Sequence, residues 1–273
     1  MVPLDYVTLR LVRRHLPNRV VRLLLERRII IRPGLETTAP AEAIQRFLDA
    51  IAAAGLTIAG KRVLIYGYGG NYGTGVGLLQ AGAEHVVLVD PFAEPVRAVN
   101  LALAQGQGSP YLRIAGSEAM PDPGYLTVVN APLRRYLADG GRPADLVLSN
   151  SVLEHVDGVE EAVPELARAT APGGEHFHFV DMRDHFFKHP FEMLCWSEKA
   201  WRRMLNPGSN LNRLRARDYE RIFSRSFQRV RVEPLASDLK AFRSARRRIR
   251  PEFLTGDEER DAVTRIFLRA SLD

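Results

Sequence analysis

The sequence predicts an α/β protein built around a parallel sheet, and three observations carry that prediction. Short apolar runs alternate with helix-length segments along the middle of the chain. The runs are continuously apolar rather than alternating, as strands covered on both faces are. The first of them opens directly into a glycine-rich turn that leads into a helix. The 273 residues, 46% hydrophobic and 26% charged, exclude a disordered, collagen-like or low-complexity chain and suit one large domain with an accessory part.

Residues 1–30 set Leu, Val and Ile between arginines in a helical rhythm broken at Pro17-Asn18, and predict two short basic amphipathic helices that stop before Pro33-Gly34. Ala41 to Ala54 places Ile44, Phe47, Leu48, Ile51 and Ala52 on one helix face, with Gly55 closing it. The strands expected next are Arg62–Tyr66, His85–Asp90, Leu126–Asn130, Asp145–Ser149 and His176–Val180, with later ones at Val230–Glu233 and Val263–Leu268. Gly106 to Gly124, rich in Gly, Pro and Ser, predicts an insertion or long loop. Beyond residue 190 an Arg-rich helical section follows.

The net charge of +6 is a difference between regions: +6 over residues 1–35, −9 over 36–198, +12 over 199–250 and −3 over 251–273. Basic flanks around an acidic centre raise association with an anionic partner, including contact of the N-terminal helices with a membrane surface. The plainer reading is arginine stems covering apolar surface on solvated helices. A single cysteine, Cys195, excludes a disulfide framework, and arginines interrupt every apolar run that could serve as a signal core; a cytoplasmic location is the expectation.

The turn Gly67-Tyr-Gly-Gly-Asn-Tyr-Gly-Thr-Gly75 lets the backbone approach a ligand closely, and Asp90, 23 residues after Gly67, can accept hydrogen bonds from ribose hydroxyls. Together they indicate a nucleoside-containing cofactor. Gly69-x-x-x-Gly73-x-Gly75 also fits short-chain nicotinamide reductases, but their Tyr-x-x-x-Lys pair occurs nowhere in the chain.

Asp145-Leu-Val-Leu-Ser-Asn-Ser-Val-Leu-Glu-His-Val156, followed by Pro172-Gly-Gly174 before a further strand, completes a pattern over residues 60–181 that closely resembles class I S-adenosylmethionine-dependent methyltransferases. The resemblance implies a Rossmann-like, seven-stranded, mostly parallel sheet with helices on both faces, here with N-terminal helices over residues 1–57 and a methyltransferase domain over 58–273. A helical cap would be inserted at about 190–226. It implies S-adenosylmethionine as cofactor, held by Gly67, Tyr68, Gly69, Gly70, Asp90, Pro91, Asn130, Ala131 and Asn150. Ile65 stands where the family usually carries an acid near the methionine ammonium.

For the acceptor, His185 and Asp181, just beyond the fifth strand, are the acid–base candidates, with His155 facing either the cleft or the helix packing. Ser151-Val-Leu-Glu154 reads as a helix capping box, and His176 and His178 as core-facing. No His-Glu-x-x-His or comparable spacing supports a metal. Trp201, Arg213 and Arg215 in the cap are candidate substrate contacts, with salt bridges to the acidic core as the alternative for the arginines. The function expected is O-methylation of a small-molecule, lipid-like or glycan acceptor. A catalytically silent cofactor-binding protein is the alternative, and a nicotinamide oxidoreductase a more distant one. Asn150-Ser-Val-Leu153, where base N-methylating enzymes resemble one another in an Asn/Asp-Pro-Pro-aromatic turn, argues against base N-methylation, though not against ribose or protein targets; with no RNA-recognition motif and no aromatics interleaved with the Arg run, a nucleic-acid acceptor is not the expectation.

Overall fold

The computed structural model describes residues 4–15, 39–108, 110–186, 188–206 and 210–273. Its centre is a seven-stranded sheet in the order β5-β2-β1-β6-β7-β9-β8. The strands are β1 (Arg62–Tyr66), β2 (His85–Val89), β5 (Leu126–Val129), β6 (Ala144–Asn150), β7 (Thr170–Asp181), β8 (Arg229–Ser237) and β9 (Val263–Ser271). The first five in spatial order pair in parallel, and β9 inserts antiparallel between β7 and β8.

The alternation of side chains along each strand divides the core into two layers. Val63 and Ile65 of β1, with Val86 and Leu88 of β2, face α2 (Pro40–Ala53), α3 (Gly73–Gln80) and α4 (Arg97–Gln105) through Phe47, Ile51, Val76, Leu79 and Ala104. Leu64, Val87 and Val89 face the opposite way, toward α5 (Leu133–Ala138), α6 (Val159–Arg168) and α7 (Ala216–Phe223), meeting Tyr136, Val163, Leu166, Ile222 and Phe223. Helices therefore cover both faces, as the continuously apolar strands require. Helix α2 lies inside the first layer, so residues 40–53 pack as part of the sheet domain.

A third cluster forms the cap: Phe191, Met193, Leu194, Trp201, Leu205 and Leu211 close against Phe242, Ala245 and Ile249. Helix α1 (Leu4–His15) docks on it through two buried residues, Tyr6 and Arg10. Arg10 ion-pairs with Asp184, and its guanidinium stacks over Phe186 and Trp201, both at 4.9 Å. The Tyr6 hydroxyl donates to the same carboxylate at 2.5 Å. The inner face of α1 is thus occupied by protein, which removes it as a membrane-facing surface. The second expected basic helix lies outside the described residues. No helix among the described residues is long and apolar enough to cross a membrane.

Two local expectations are corrected. Gly106–Gly124 is not a plain loop but holds an antiparallel hairpin, β3 (Leu112–Ala115) with β4 (Glu118–Pro121), turned at Gly116. Pro172-Gly-Gly174, expected ahead of the strand that starts at His176, lies within it. It is an irregularity inside β7, where the register jumps from Ala144–Thr170 to Leu146–Glu175.

Candidate functional site

The strand order reverses between β1 and β6, and open α/β sheets leave a crevice at the carboxyl ends of such a pair. The register Ile65–Leu148 brings Gly67 level with Asn150 there. Gly67 has φ +84°, and a Cβ on it would meet Val152 Cγ2 at 2.3 Å; Gly70 has φ +85°, and its Cβ would meet the Glu94 carbonyl oxygen at 2.2 Å. Only glycine fits at either place. The turn is clamped from below by Asn100, which accepts from Tyr72 N–H at 2.9 Å and donates to the Gly70 carbonyl at 2.9 Å. Sequence reasoning missed Asn100, since an asparagine inside a helix 30 residues further on carries no local signal.

Asp90 sits at the end of β2 with both carboxylate oxygens engaged. Oδ1 accepts from the Phe92 and Ala93 amides at 2.9 and 3.0 Å, and Oδ2 from Gly69 N–H at 3.1 Å. Pro91 and Phe92 beside it are exposed. Tyr68 has its ring wholly buried, stacked on Tyr72 with centroids 6.1 Å apart, and its hydroxyl donates to Asn130 Oδ1 at 2.5 Å. Burial raises the Tyr68 phenol well above its ordinary range. The Tyr68 ring therefore belongs to the core rather than the cleft, and it positions Asn130. Asn130 is exposed and Ala131 half-buried.

At the β1–β6 crevice, Arg46 of α2 reaches over Phe179 and donates to Asn150 Oδ1 at 2.7 Å. Asn150 Nδ2 is buried with no hydrogen-bond partner among the described residues. Ile65 is fully buried among apolar neighbours and offers nothing to a charged ligand. A buried, unmatched donor beside a guanidinium, next to a glycine cradle that no Cβ could enter, fits a ligand with an anionic end. Arg46 escaped sequence reasoning because its partner is 104 residues away.

The turn after β6 departs from the capping-box expectation. Ser151 takes φ +54°, no side-chain cap forms, and Leu153–His155 is a single 3₁₀ turn. Glu154, 1% exposed, accepts from the Asp181 backbone N–H at 3.3 Å, joining this turn to the end of β7. The cap holds the turn from the other side. Asn212 donates to the carbonyls of Leu153 and Val156 at 2.7 and 3.0 Å, and Asn210 donates to the His155 carbonyl at 3.1 Å. His155 Nδ1 donates to the Asn210 carbonyl at 2.8 Å, so the neutral ring carries its lone pair on Nε2. The His185 ring meets His155 edge-on with centroids 4.9 Å apart. His155 and His185, named separately from sequence, are thereby brought together, with Glu154 as a third member; Asn210 and Asn212 were missed.

Four sequence candidates are placed elsewhere. Asp181 is gripped by Arg183 through Nε at 2.8 Å and Nη2 at 2.5 Å, an ion pair in place of a proton acceptor. Trp201 is 2% exposed and donates through Nε1 to the Leu211 carbonyl at 3.1 Å, so it fills the cap core. Arg213 donates to the carbonyls of Met193 and Trp196 at 3.1 and 2.6 Å and pairs with Glu198. Arg215 donates to the carbonyls of Met182, Asp261 and Val263, and burial lowers its pKa to about 10. Trp201 and Arg213 are thus satisfied within the cap, and Arg215 ties it to the ends of β7 and β9, which corrects the substrate-contact reading. His176 and His178 are fully buried in a chain from Thr170 to Ser149, and burial holds both rings neutral.

Sheet order, glycine turn and strand-ending carboxylate define a Rossmann-like protein with a nucleoside-cofactor crevice. A family profile described as a methyltransferase domain matches residues 37–226, more than half of the chain, and the chain belongs to that family. S-adenosylmethionine is the cofactor that this assignment brings, and the Gly67–Gly70 cradle with the unmatched Asn150 donor fits it. Among solved structures, a Streptococcus mutans protein assigned as a SAM-dependent methyltransferase is 12% identical over 78% of this chain, which spans only 45% of it (TM-score 0.41). An S-adenosylmethionine-dependent methyltransferase from Mesorhizobium loti is 17% identical over 87% of this chain and 99% of its own (TM-score 0.46). A geranyl diphosphate methyltransferase in complex with SAM is 17% identical over 88% and 87% (TM-score 0.49). The chain matches none of the curated proteins.

Proposed function

We propose that the protein methylates an oxygen of a small-molecule, lipid-like or glycan acceptor. The observation that carries this reading is the pairing of His155, on the turn whose Val152 lies against Gly67, with His185 of the loop after β7, ring centroids 4.9 Å apart beside Glu154. S-adenosylmethionine supplies a methyl group on a sulfonium sulfur that leaves as a neutral thioether. Little is asked of the protein beyond alignment, water exclusion and removal of the acceptor proton. Gly67, Gly69 and Gly70 give the cofactor its backbone bed, Asp90 Oδ2 receives a ribose hydroxyl, and Asn130 and Ala131 border the adenine. Arg46 and Asn150 Nδ2 hold the methionine carboxylate, an anchor that compensates for the missing acid at Ile65. His155, with Nδ1–H fixed on Asn210, presents Nε2 to the acceptor hydroxyl and takes its proton as the new C–O bond forms.

A second reading has one observation of its own. With Ile65 buried where the family carries an acid, a protein that binds cofactor without turnover remains in play. Calorimetric titration with S-adenosylmethionine and with NADPH, followed by turnover against a panel of hydroxylated acceptors, separates the readings. Binding of the former with turnover that His155→Ala lowers at least tenfold supports O-methylation. Binding without any turnover supports the silent protein, and tight NADPH binding sinks both.

A further inference from the structure

We infer that Glu154, His155 and His185 form a binding site for one divalent transition-metal ion, of the zinc or iron(II) class, on the acceptor side of the crevice. One ring nitrogen of each histidine and one Glu154 oxygen lie within 4.8 Å of one another. Ligands ~2.1 Å from a tetrahedral zinc stand ~3.4 Å apart, a spread that small side-chain rotations reach. The three residues come from two segments about 30 positions apart, the turn after β6 and the loop after β7, which the Asp181 amide on Glu154 ties together. The expectation of no metal rested on local spacing, and local spacing cannot register a set that only the sheet assembles.

Three features make this an ordered set rather than a chance encounter. Two imidazoles and a carboxylate with further positions open suit zinc or non-haem iron(II), and disfavour magnesium or calcium, which take oxygen ligands. His155 donates its Nδ1–H to a backbone carbonyl, the outer partner that fixes a ligand imidazole's tautomer and orientation. Ser151, in the left-handed region without being glycine, bends the chain sharply just before Glu154 and His155.

The inference rests on the acceptor-side reading above and changes the base in it: the ion and solvent water take over the proton removal given there to His155. With the ion in place, the imidazoles act as ligands and the ion acidifies the acceptor hydroxyl. The hydroxyl proton passes to solvent water, its oxygen electron pair forms the bond to the methyl carbon, and the carbon–sulfur pair stays on sulfur. The class of acceptor this favours is one whose hydroxyl is too weakly acidic for a bare imidazole, an alcohol or sugar rather than a phenol.

The test uses the untagged full chain, stripped with chelator and titrated with Co²⁺ and Zn²⁺. The expected result is one ion per chain, with ligand-field absorption from nitrogen-bound Co²⁺, and Zn²⁺ that protects His155 and His185 from diethylpyrocarbonate in the unaltered protein. His155→Ala and His185→Ala should lose the absorption and weaken Zn²⁺ at least tenfold, while S-adenosylmethionine affinity stays within threefold and certifies folding. Absence of saturable binding and of protection, or binding that survives both substitutions, overturns the site. Failure of the methyltransferase reading would show separately, as loss of S-adenosylmethionine binding by the unaltered chain.

Discussion

Replacing Asp90 by alanine tests the cofactor site most directly, and the structure sets the size of the effect. A carboxylate offers about four acceptor positions. Here two on Oδ1 are filled by Phe92 and Ala93 N–H and one on Oδ2 by Gly69 N–H, which leaves one, on Oδ2, for a ribose hydroxyl. A single hydrogen bond to a charged group contributes about 1.5–3 kcal/mol, so Asp90→Ala should weaken S-adenosylmethionine binding about 10- to 150-fold. A second ribose contact would have to displace Gly69 N–H, so a loss well beyond that range means the turn itself has come apart. Asp90→Asn separates the two causes: it keeps one oxygen for Phe92 and Ala93 but sets an amide N–H against Gly69 N–H. Isothermal titration calorimetry gives the affinity, and thermal melting of the free proteins gives the turn's share. Binding by Asp90→Ala within twofold of the unaltered chain would refute the assignment of Asp90 to the ribose.

Two further predictions concern what holds the site. Arg10→Met strands Asp184 in a buried position and should cost about 3–5 kcal/mol in urea unfolding at pH 7. Burial already raises the Asp184 pKa, so the cost should shrink at lower pH as the carboxyl takes up a proton, and Arg10→Met/Asp184→Leu should recover much of it. His176 and His178 have pKa values lowered by burial, His178 to about 3. The unfolded chain binds more protons below the ordinary value near 6.5, so stability is full above about pH 6.5 and falls as pH drops toward 3. The pair adds a slope of at most ~2.7 kcal/mol per pH unit. His178→Asn, which cannot take that proton, should flatten the slope measured by denaturant unfolding between pH 6.5 and 5; an unchanged slope would refute the role of the buried pair.

What was legible in the sequence is what short-range patterning encodes. Arg62–Tyr66 and His85–Val89 had to be buried on both faces because they are apolar at every inner position, and Gly67 to Gly70 had to be a turn because few other residues tolerate its backbone. Where local chemistry had two outcomes, the tertiary context chose. Ser151 and Glu154 fit a capping box, but the turn is too short to be a helix start, and the Asp181 amide takes Glu154 instead. Gly106–Gly124 carries loop composition, and four residues per strand are too few to show a period. Arg10, Arg46, Arg213 and Arg215 find partners far along the chain, or on carbonyls that any sequence presents, so no motif could announce them.

The same long-range pairing changes the meaning of the charge distribution. Along the sequence, +12 over residues 199–250 stands apart from −9 over 36–198 and suggests a basic surface awaiting an anionic partner. In the fold these segments interleave. Arg221 and Arg225 reach Glu160, and Arg248 reaches Glu192, each joining a basic segment to an acidic one. Arg243 and Arg246 meet Glu258 of the acidic tail, while Arg213 is consumed inside the cap and Arg215 on carbonyls at the ends of β7 and β9. Exposed pairs of this kind contribute ~0–1 kcal/mol each and add little to stability; Arg248 with the buried Glu192 is the exception. Asn210 and Asn212 are carried on that cap, and they set His155. These arginines are thus spent on contacts within the chain, and their charge does not by itself call for an anionic partner.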